Sequence, residues 1–235
     1  MLQSLKSFAR RIVRPPLHRP EIQLDHDVLG TDYGAWPLLR TLTPRAPLIY
    51  SFGIGEDISF DLGAIERYGA TVHAFDPTPR CLTWIEGQNL PASFHFHPIG
   101  LSDADGDARF FAPEKVQNVS FSAAPARESD PALAVSAPVK RLETIIGELG
   151  TPNPDVLKMD IEGFEYAVLG DVIASGIKPP QLLIEFHQRM YDIPDSRTLA
   201  AIEDLRTAGY AIFYVSASGH EYGLVHQNLL VNSAG

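Results

Sequence analysis

Asp160, Glu162, Glu185 and His187 are the residues in this chain best placed to move a proton or hold a cation. Asp160 and Glu162 close the run Asp155-Val156-Leu157-Lys158-Met159-Asp160-Ile161-Glu162-Gly163, in which a short apolar strand ends in two acids and a glycine. Ligands of an open parallel sheet sit outside the carboxyl ends of its strands, so both acids stand where chemistry is usually done. An acidic strand end suits a cationic ligand or a proton to be removed. Glu185 and His187 are two residues apart at the end of the neighbouring strand, Leu182–Phe186, and so share one face. A histidine near its unperturbed pKa of about 6.5 accepts a proton at neutral pH. Asp160 is the first choice as substrate-orienting group or base, and His187 the second. The competing reading is that Glu185 and His187 only satisfy buried polar groups between strands. Glu162, three residues before Glu165, is expected to serve a helix start. The four residues could gather around one ion, but no spacing fixes them as it would in H-E-x-x-H.

A second constellation precedes this one. Gly53-Ile54-Gly55 follows a strand and opens onto a helix. Glycines there let a ligand approach the backbone, and the helix N-terminus offers free N–H groups. Alone the pattern is weak. Asp76 closes the second strand, 21 residues after Gly55, where a carboxylate meets ribose hydroxyls. A turn-starter before Pro77 is the plainer alternative. Ser102 and Asp103 close the third strand and either hydrogen-bond an adenine edge or form an ordinary turn. Glu56 and Asp57 occupy the loop and the helix start. Two carboxylates repel the pyrophosphate of NAD but suit the ammonium and sulfonium of S-adenosylmethionine. They also suit a helix N-terminus.

The elements that must position these residues follow from periodicity. Strands are expected at Leu48–Phe52, Thr71–Phe75, Ser93–Leu101, Val156–Met159 and Leu182–Phe186. Helices are expected at 58–68, 79–86, 141–149, 165–174 and 196–208. Tyr210–Ser216 and Tyr222–Val231 have no helix between them and read as an antiparallel pair. Residues 102–138 read as irregular, with a hairpin through Ala108–Ala112. Strands alternating with helices at this spacing imply an α/β, Rossmann-like sheet of seven strands, mostly parallel, with helices on both faces and an antiparallel C-terminal edge. His95 and His97 alternate along the third strand and read as packing residues. His220 and His226 lie near the final hairpin, within reach of a substrate.

With these residues assembled, the chain over roughly residues 47–232 resembles the FkbM-type family of S-adenosylmethionine-dependent methyltransferases. The segment Asp155–Glu165 is similar to the family's "P-D-hydrophobic-K-hydrophobic-D-V-E-G-x-E" motif. His73-Ala74-Phe75-Asp76-Pro77, Gly100-Leu101-Ser102-Asp103 and Leu182-Leu183-Ile184-Glu185-Phe186-His187 support it. The family has an Asp where this chain has Ser51, and a glycine where it has Asp57. The run Ser51–Phe60 looks instead like a subgroup of methyltransferase-like proteins found in animals and bacteria. The resemblance implies a class I methyltransferase sheet and S-adenosylmethionine as cofactor. It places Ser51, Gly53, Gly55, Glu56, Asp57, Asp76, Ser102 and Asp103 around that cofactor, and Asp160, His187 and Glu185 at the reacting side. Either Glu56 or Asp57 replaces the missing Asp contact, or the cofactor site is weakened. The resemblance does not require a metal, and none is expected. The implied reaction is O-methylation of a hydroxyl on a small metabolite or sugar. The rivals are an NAD(P)-dependent oxidoreductase on the same fold and a non-catalytic, methyltransferase-like binding domain.

Composition bounds the partners. The chain has 235 residues, 45% hydrophobic, enough for one α/β domain with a small appendage. Its formal net charge of -10 disfavours nucleic acid and anionic membrane. Residues 1–20 are the exception, with Lys6, Arg10, Arg11, Arg14 and Arg19 and no acid. There Leu2, Leu5, Phe8, Ala9, Ile12 and Val13 share one helical face, a basic amphipathic helix that packs on the core or on a second subunit, or makes weak peripheral contact with membrane through residues 1–14. Residues 21–46 read as a linker and approach segment, and 47–235 as the methyltransferase domain. Cys81 is the only cysteine, which excludes an internal disulfide. With no apolar run long enough to span a bilayer, a cytoplasmic location is expected. Residues 21–46 and 104–138, with Phe110, Phe111 and Phe121, are expected to shape the acceptor pocket. The oligomeric state is not legible.

Overall fold

The structure, a computed structural model, describes residues 15–110, 134–190 and 192–232. Residues 1–14, where a basic amphipathic helix is expected, and Phe111 and Phe121 lie outside the described residues. Among the described residues, twelve strands and six helices follow in order, beginning with a ribbon of β1 (His26–Leu29) and β2 (Trp36–Leu39). The main sheet then takes β3 (Leu48–Phe52), α1 (Ser59–Tyr68), β4 (Thr71–Phe75), α2 (Pro79–Ile85) and β5 (Phe94–His97). A small sheet is made of β6 (Gly100–Leu101), β7 (Gly106–Phe110) and β8 (Val135–Lys140). The chain returns through α3 (Leu142–Leu149), β9 (Val156–Met159), α4 (Glu165–Ser175), β10 (Gln181–Glu185), α5 (Asp195–Thr207), β11 (Tyr210–Val215), β12 (Glu221–His226) and α6 (Gln227–Asn232).

The seven-stranded sheet has the order β11-β12-β10-β9-β3-β4-β5. The pairs β3–β4, β4–β5, β3–β9 and β9–β10 are parallel. β12 runs antiparallel to both β10 and β11, so the returning strand lies inside the edge rather than at it. The chain leaves β3 toward β4 on one side and comes back to β9 on the other. That reversal is the topological switch point at which such sheets bind ligands.

Both faces of the sheet are covered because its central strands are apolar on both faces. On one face Tyr50, Phe52, Leu157 and Met159 pack against α3, α4 and α5. On the other, Ile49 and Val156 pack against α1, α2 and the ribbon. The ends of the helices follow local chemistry. Thr78 accepts from the Cys81 N–H and Pro79 fills the first turn of α2. Gly69, at φ +68°, closes α1.

Four expectations are corrected. The third strand divides at Pro98, which has no N–H to continue the ladder; β5 ends at His97 and β6 joins the small sheet. Val135–Lys140 is a strand rather than irregular, and Gly106–Phe110 pairs antiparallel with it; the expected hairpin through Ala108–Ala112 lies partly outside the described residues. The last strand stops at His226 and a helix follows. Segment 21–46 does more than approach the domain. Trp36, Leu38 and Leu39 are core residues, and the Leu39 N–H donates to Gln181 Oε1 on β10. Among the described residues, no helix is long and apolar enough to cross a membrane.

Candidate active site

A cavity of about 300 Å³ opens at the switch point, between the ends of β3, β4 and β9. That volume is at the lower end for small-molecule sites. Its floor is the glycine loop. Gly53 has φ +73°, and a Cβ there would stand 1.6 Å from the Asp160 carbonyl oxygen, so only glycine lets the ends of β3 and β9 meet. Gly55, at φ +51°, has no neighbour within 4 Å of a Cβ and faces open space. Its N–H donates to Asp76 Oδ2 at 3.0 Å. The other oxygen of Asp76 accepts from the Thr78 N–H and hydroxyl. Asp76 is thus both a turn residue and part of the cavity wall, and burial raises its pKa against these hydrogen bonds. Phe75 stacks on Phe52 at 4.2 Å, and with Pro77 and Phe110 makes the apolar side.

The acidic side is built by β9, β10 and the start of α4. Asp160 lines the cavity with its side chain 29% exposed. Burial raises its pKa to about 6, against the pull of Lys158 and His187. Glu162 also lines the cavity, in a left-handed backbone conformation at φ +52° that only strong local contacts hold. Its Oε2 lies 3.1 Å from His187 Nε2. The expected helix-start role falls instead to Glu165, which is fully buried and accepts from the Gly163 N–H. Glu165 Oε1 accepts from the His187 N–H at 2.8 Å and meets His187 Nδ1 at 3.0 Å.

His187 is therefore clamped, 2% exposed, with carboxylates at both ring nitrogens. Burial lowers its pKa, but the hydrogen bonds to Glu162 and Glu165 and their charges outweigh it, leaving the group well above 6.5. The expectation of a histidine that accepts protons near neutral pH does not hold: this imidazolium already carries both protons. Glu185 does not line the cavity. Burial and the charges of Asp160, Glu221 and Glu162 raise its pKa to about 9, although His187 opposes them. At neutral pH it is an un-ionised acid beside an ionised Asp160. One donor atom each from Asp160, Glu185 and His187 lie within 4.8 Å of one another, which is the set that would hold a metal ion. The clamp on His187 already engages Nε2 with Glu162.

The remaining candidates divide. Glu56 lines the cavity but is paired with Arg80 through two bonds of 2.8 and 2.9 Å. Ser51 is fully buried on the ribbon face of the sheet and does not line the cavity. Asp57 does not line it either. It accepts from the Ser59 N–H at the start of α1 and ties down the β1–β2 turn by accepting from the Thr31 hydroxyl at 2.6 Å. Ser102 donates to Asp103, and neither lines the cavity; the neighbouring Gly100 and Leu101 do. His220 and His226 bond to the carbonyls of Phe186 and Ala208, so both hold structure. His73 and His97 meet at 2.9 Å on the sheet face.

Tyr33 was not legible in the sequence. It is carried by the β1–β2 turn to the cavity mouth. Partial desolvation and the charges of Asp160, Glu162, Glu185 and Asp57 raise its pKa. Its one sequence signal is an aromatic residue in a glycine-bounded turn.

The Methyltransferase FkbM domain matches residues 45–212. The chain is 26% identical over 144 residues to the probable methyltransferase-like protein 24 of Homo sapiens, covering 59% of this chain and 32% of that protein. It is 27% identical over 164 residues to the Rattus norvegicus protein of the same name, covering 68% and 37%. The chain thus spans about a third of the length of these relatives. The solved structure of methyltransferase FkbM from Methylobacillus flagellatus KT superposes with a TM-score of 0.50 at 17% identity, over 80% of this chain and 45% of that one, and shares the fold. With a family match over more than half its length, this chain belongs to the FkbM methyltransferase family.

Proposed function

We propose that the protein is an S-adenosylmethionine-dependent methyltransferase acting on a hydroxyl of a small metabolite or sugar. One observation carries the cofactor: among the described residues the cavity lining holds four carboxylates, Asp76, Asp160, Glu162 and the Arg80-paired Glu56, and no lysine or arginine. Such a lining repels a pyrophosphate and favours a cationic ligand, which speaks against the NAD(P) reading. The apolar side at Phe75, Pro77 and Phe110 suits a flat base. Gly53 and Gly55 would admit the ligand to the backbone, and Asp76 would face its ribose. Bound S-adenosylmethionine supplies a methyl group on a positively charged sulfur.

The chain's own residues do the rest. Asp160, with a pKa near 6, is ionised at pH 7 and basic enough to orient or deprotonate an acceptor hydroxyl. His187, fixed by Glu165, holds Glu162 and stands 3.7 Å from Asp160 without exchanging protons with substrate. Tyr33 covers the acceptor side.

Calorimetry with S-adenosylmethionine and S-adenosylhomocysteine tests the cofactor. No binding of either at millimolar concentration would discard the assignment, and stabilisation by NAD(P) alone would favour the oxidoreductase. Asp160→Asn tests the chemistry: it should keep S-adenosylhomocysteine affinity and slow turnover by about 10²–10⁴-fold.

A further inference from the structure

The floor of the cavity and its mouth are joined through one carboxylate. Asp57 follows the glycine loop, two residues after Gly55. It does not line the cavity, yet it is tied to the turn that carries Tyr33 there. Thr31 is the hub of that tie. Its hydroxyl donates to Asp57 Oδ2 at 2.6 Å and accepts from the Gly34 N–H at 3.2 Å. Its N–H donates to Ser59 Oγ at 2.8 Å. The second oxygen of Asp57 accepts from the Ser59 N–H at 2.7 Å. Tyr33 sits between Thr31 and Gly34, so the same bonds hold its backbone.

Gly34 completes the tie. A Cβ there would stand 2.8 Å from the Asp57 carboxylate, so any side chain would push that group off its bonds to Thr31 and Ser59. Burial opposes the charge of Asp57, but the hydrogen bonds from Ser59 and Thr31 outweigh it and hold its pKa below the usual value. The carboxylate is ionised at neutral pH, which strengthens each bond it accepts. Tyr33 itself is 81% exposed. Packing does not hold a ring so open; the hydrogen-bonded turn sets where it stands. It shares the cavity lining with Gly53, Gly55, Asp160 and Glu162.

We propose that Tyr33 is a ligand-retaining residue, its ring set across the cavity mouth, and that Asp57 and Thr31 are the positioning residues that keep it there. The inference deepens the methyltransferase reading and rests on it for the ligand probe, S-adenosylhomocysteine. A ring held in place beforehand adds contact to the bound state at little ordering cost, and such gains appear mostly in the dissociation rate.

Stopped-flow release of S-adenosylhomocysteine from the whole chain tests this. Tyr33→Ala should speed release about tenfold or more and change association less than about threefold. Tyr33→Phe keeps the ring and should stay within about threefold of the wild type. Thr31→Val keeps the shape but cuts the bonds to Asp57 and Gly34, and should speed release about three- to tenfold. Thr31→Ser keeps the hydroxyl and should not. The double variant Thr31→Val with Tyr33→Ala separates positioning from general loosening. If Thr31 acts through the ring, the double variant releases ligand no faster than Tyr33→Ala alone. Full multiplication of the two factors overturns the positioning role, and wild-type release from Tyr33→Ala overturns the proposal outright. Replacing so exposed a residue leaves the fold intact, so neither result is lost to misfolding. A wild-type protein that binds no S-adenosylhomocysteine at millimolar concentration refutes the cofactor, and the retaining ring with it. Normal binding with release unchanged in Tyr33→Ala refutes the ring and leaves the cofactor standing.

Discussion

At the scale of single residues, neighbouring ionisable groups at the acidic side of the cavity carry different charges. Asp160 is ionised near neutrality, Glu185 is not, and His187 is a fixed cation between Glu162 and Glu165. A turnover that needs Asp160 as carboxylate and Glu185 as acid gives a bell-shaped kcat/KM profile, rising through pH about 6 and falling through pH about 9. The two limbs belong to the interacting pair rather than to either group alone. Glu185→Gln should remove the alkaline limb and leave the acid one; a profile with both limbs intact would clear Glu185. His187→Asn leaves the fully buried Glu165 without its imidazolium and should lower stability by about 3 kcal/mol, read as a shift in denaturant midpoint. Asp160 was legible because an apolar strand runs straight into it. The clamp was not: Glu165 and His187 are 22 residues apart, on a helix start and a neighbouring strand, and only the sheet brings them together. Ser51 and Asp57 were misplaced for a related reason. Periodicity puts them near the loop but does not say which face of the strand, or which turn, takes the side chain.

At the scale of elements, the glycine loop separates stability from function. Gly53→Ala combines a left-handed φ with a Cβ 1.6 Å from backbone, and backbone cannot move aside. It should cost about 3 kcal/mol or more and disturb the junction of β3 and β9. Gly55→Ala meets nothing within 4 Å and should cost only about 1 kcal/mol for its φ. Its new methyl would stand at the cavity, so S-adenosylhomocysteine affinity should fall more than stability does. Equal losses of stability in the two variants would refute this account of the loop. The alternation of strands and helices was legible from residue 47 onward because apolar runs alternate with helix-period segments, and α1, α3 and α4 each end at a glycine. The ribbon was not, since four-residue strands such as Trp36–Leu39, buried at every position, carry no alternation to read. Val135–Lys140 was lost for another reason: Pro138 lies in a strand that pairs on both sides, which argues against a strand by rule.

At the scale of the whole molecule, the site opposes the stability of the fold as pH rises. Glu185 and Asp160 have folded-state pKa values raised to about 9 and about 6. The folded protein therefore holds protons that the unfolded chain has already released, and stability falls with pH until each folded value is passed. His187 acts in the same direction. Its raised pKa adds stability that is complete below about 6.5 and lost as pH rises through the folded value. Asp27 acts oppositely: hydrogen bonds from Arg67 and Tyr68, and its pairing with Arg40, hold its pKa well down, so its contribution is lost only in strong acid. The maximum should lie between about pH 4 and 6. One fully linked proton is worth about 1.4 kcal/mol per pH unit, and partial exposure of the site reduces that. Between pH 6 and 8 Glu185 alone, holding one proton over two units, should cost up to about 3 kcal/mol, or roughly 5–10 °C in melting temperature for a chain of this size. Glu185→Gln should melt higher than the wild type at pH 8 and show a shallower slope. A wild-type melting temperature that rises from pH 6 to 8 would mean that Glu185 is already ionised in the folded protein, and the division of charge between it and Asp160 would fail with it.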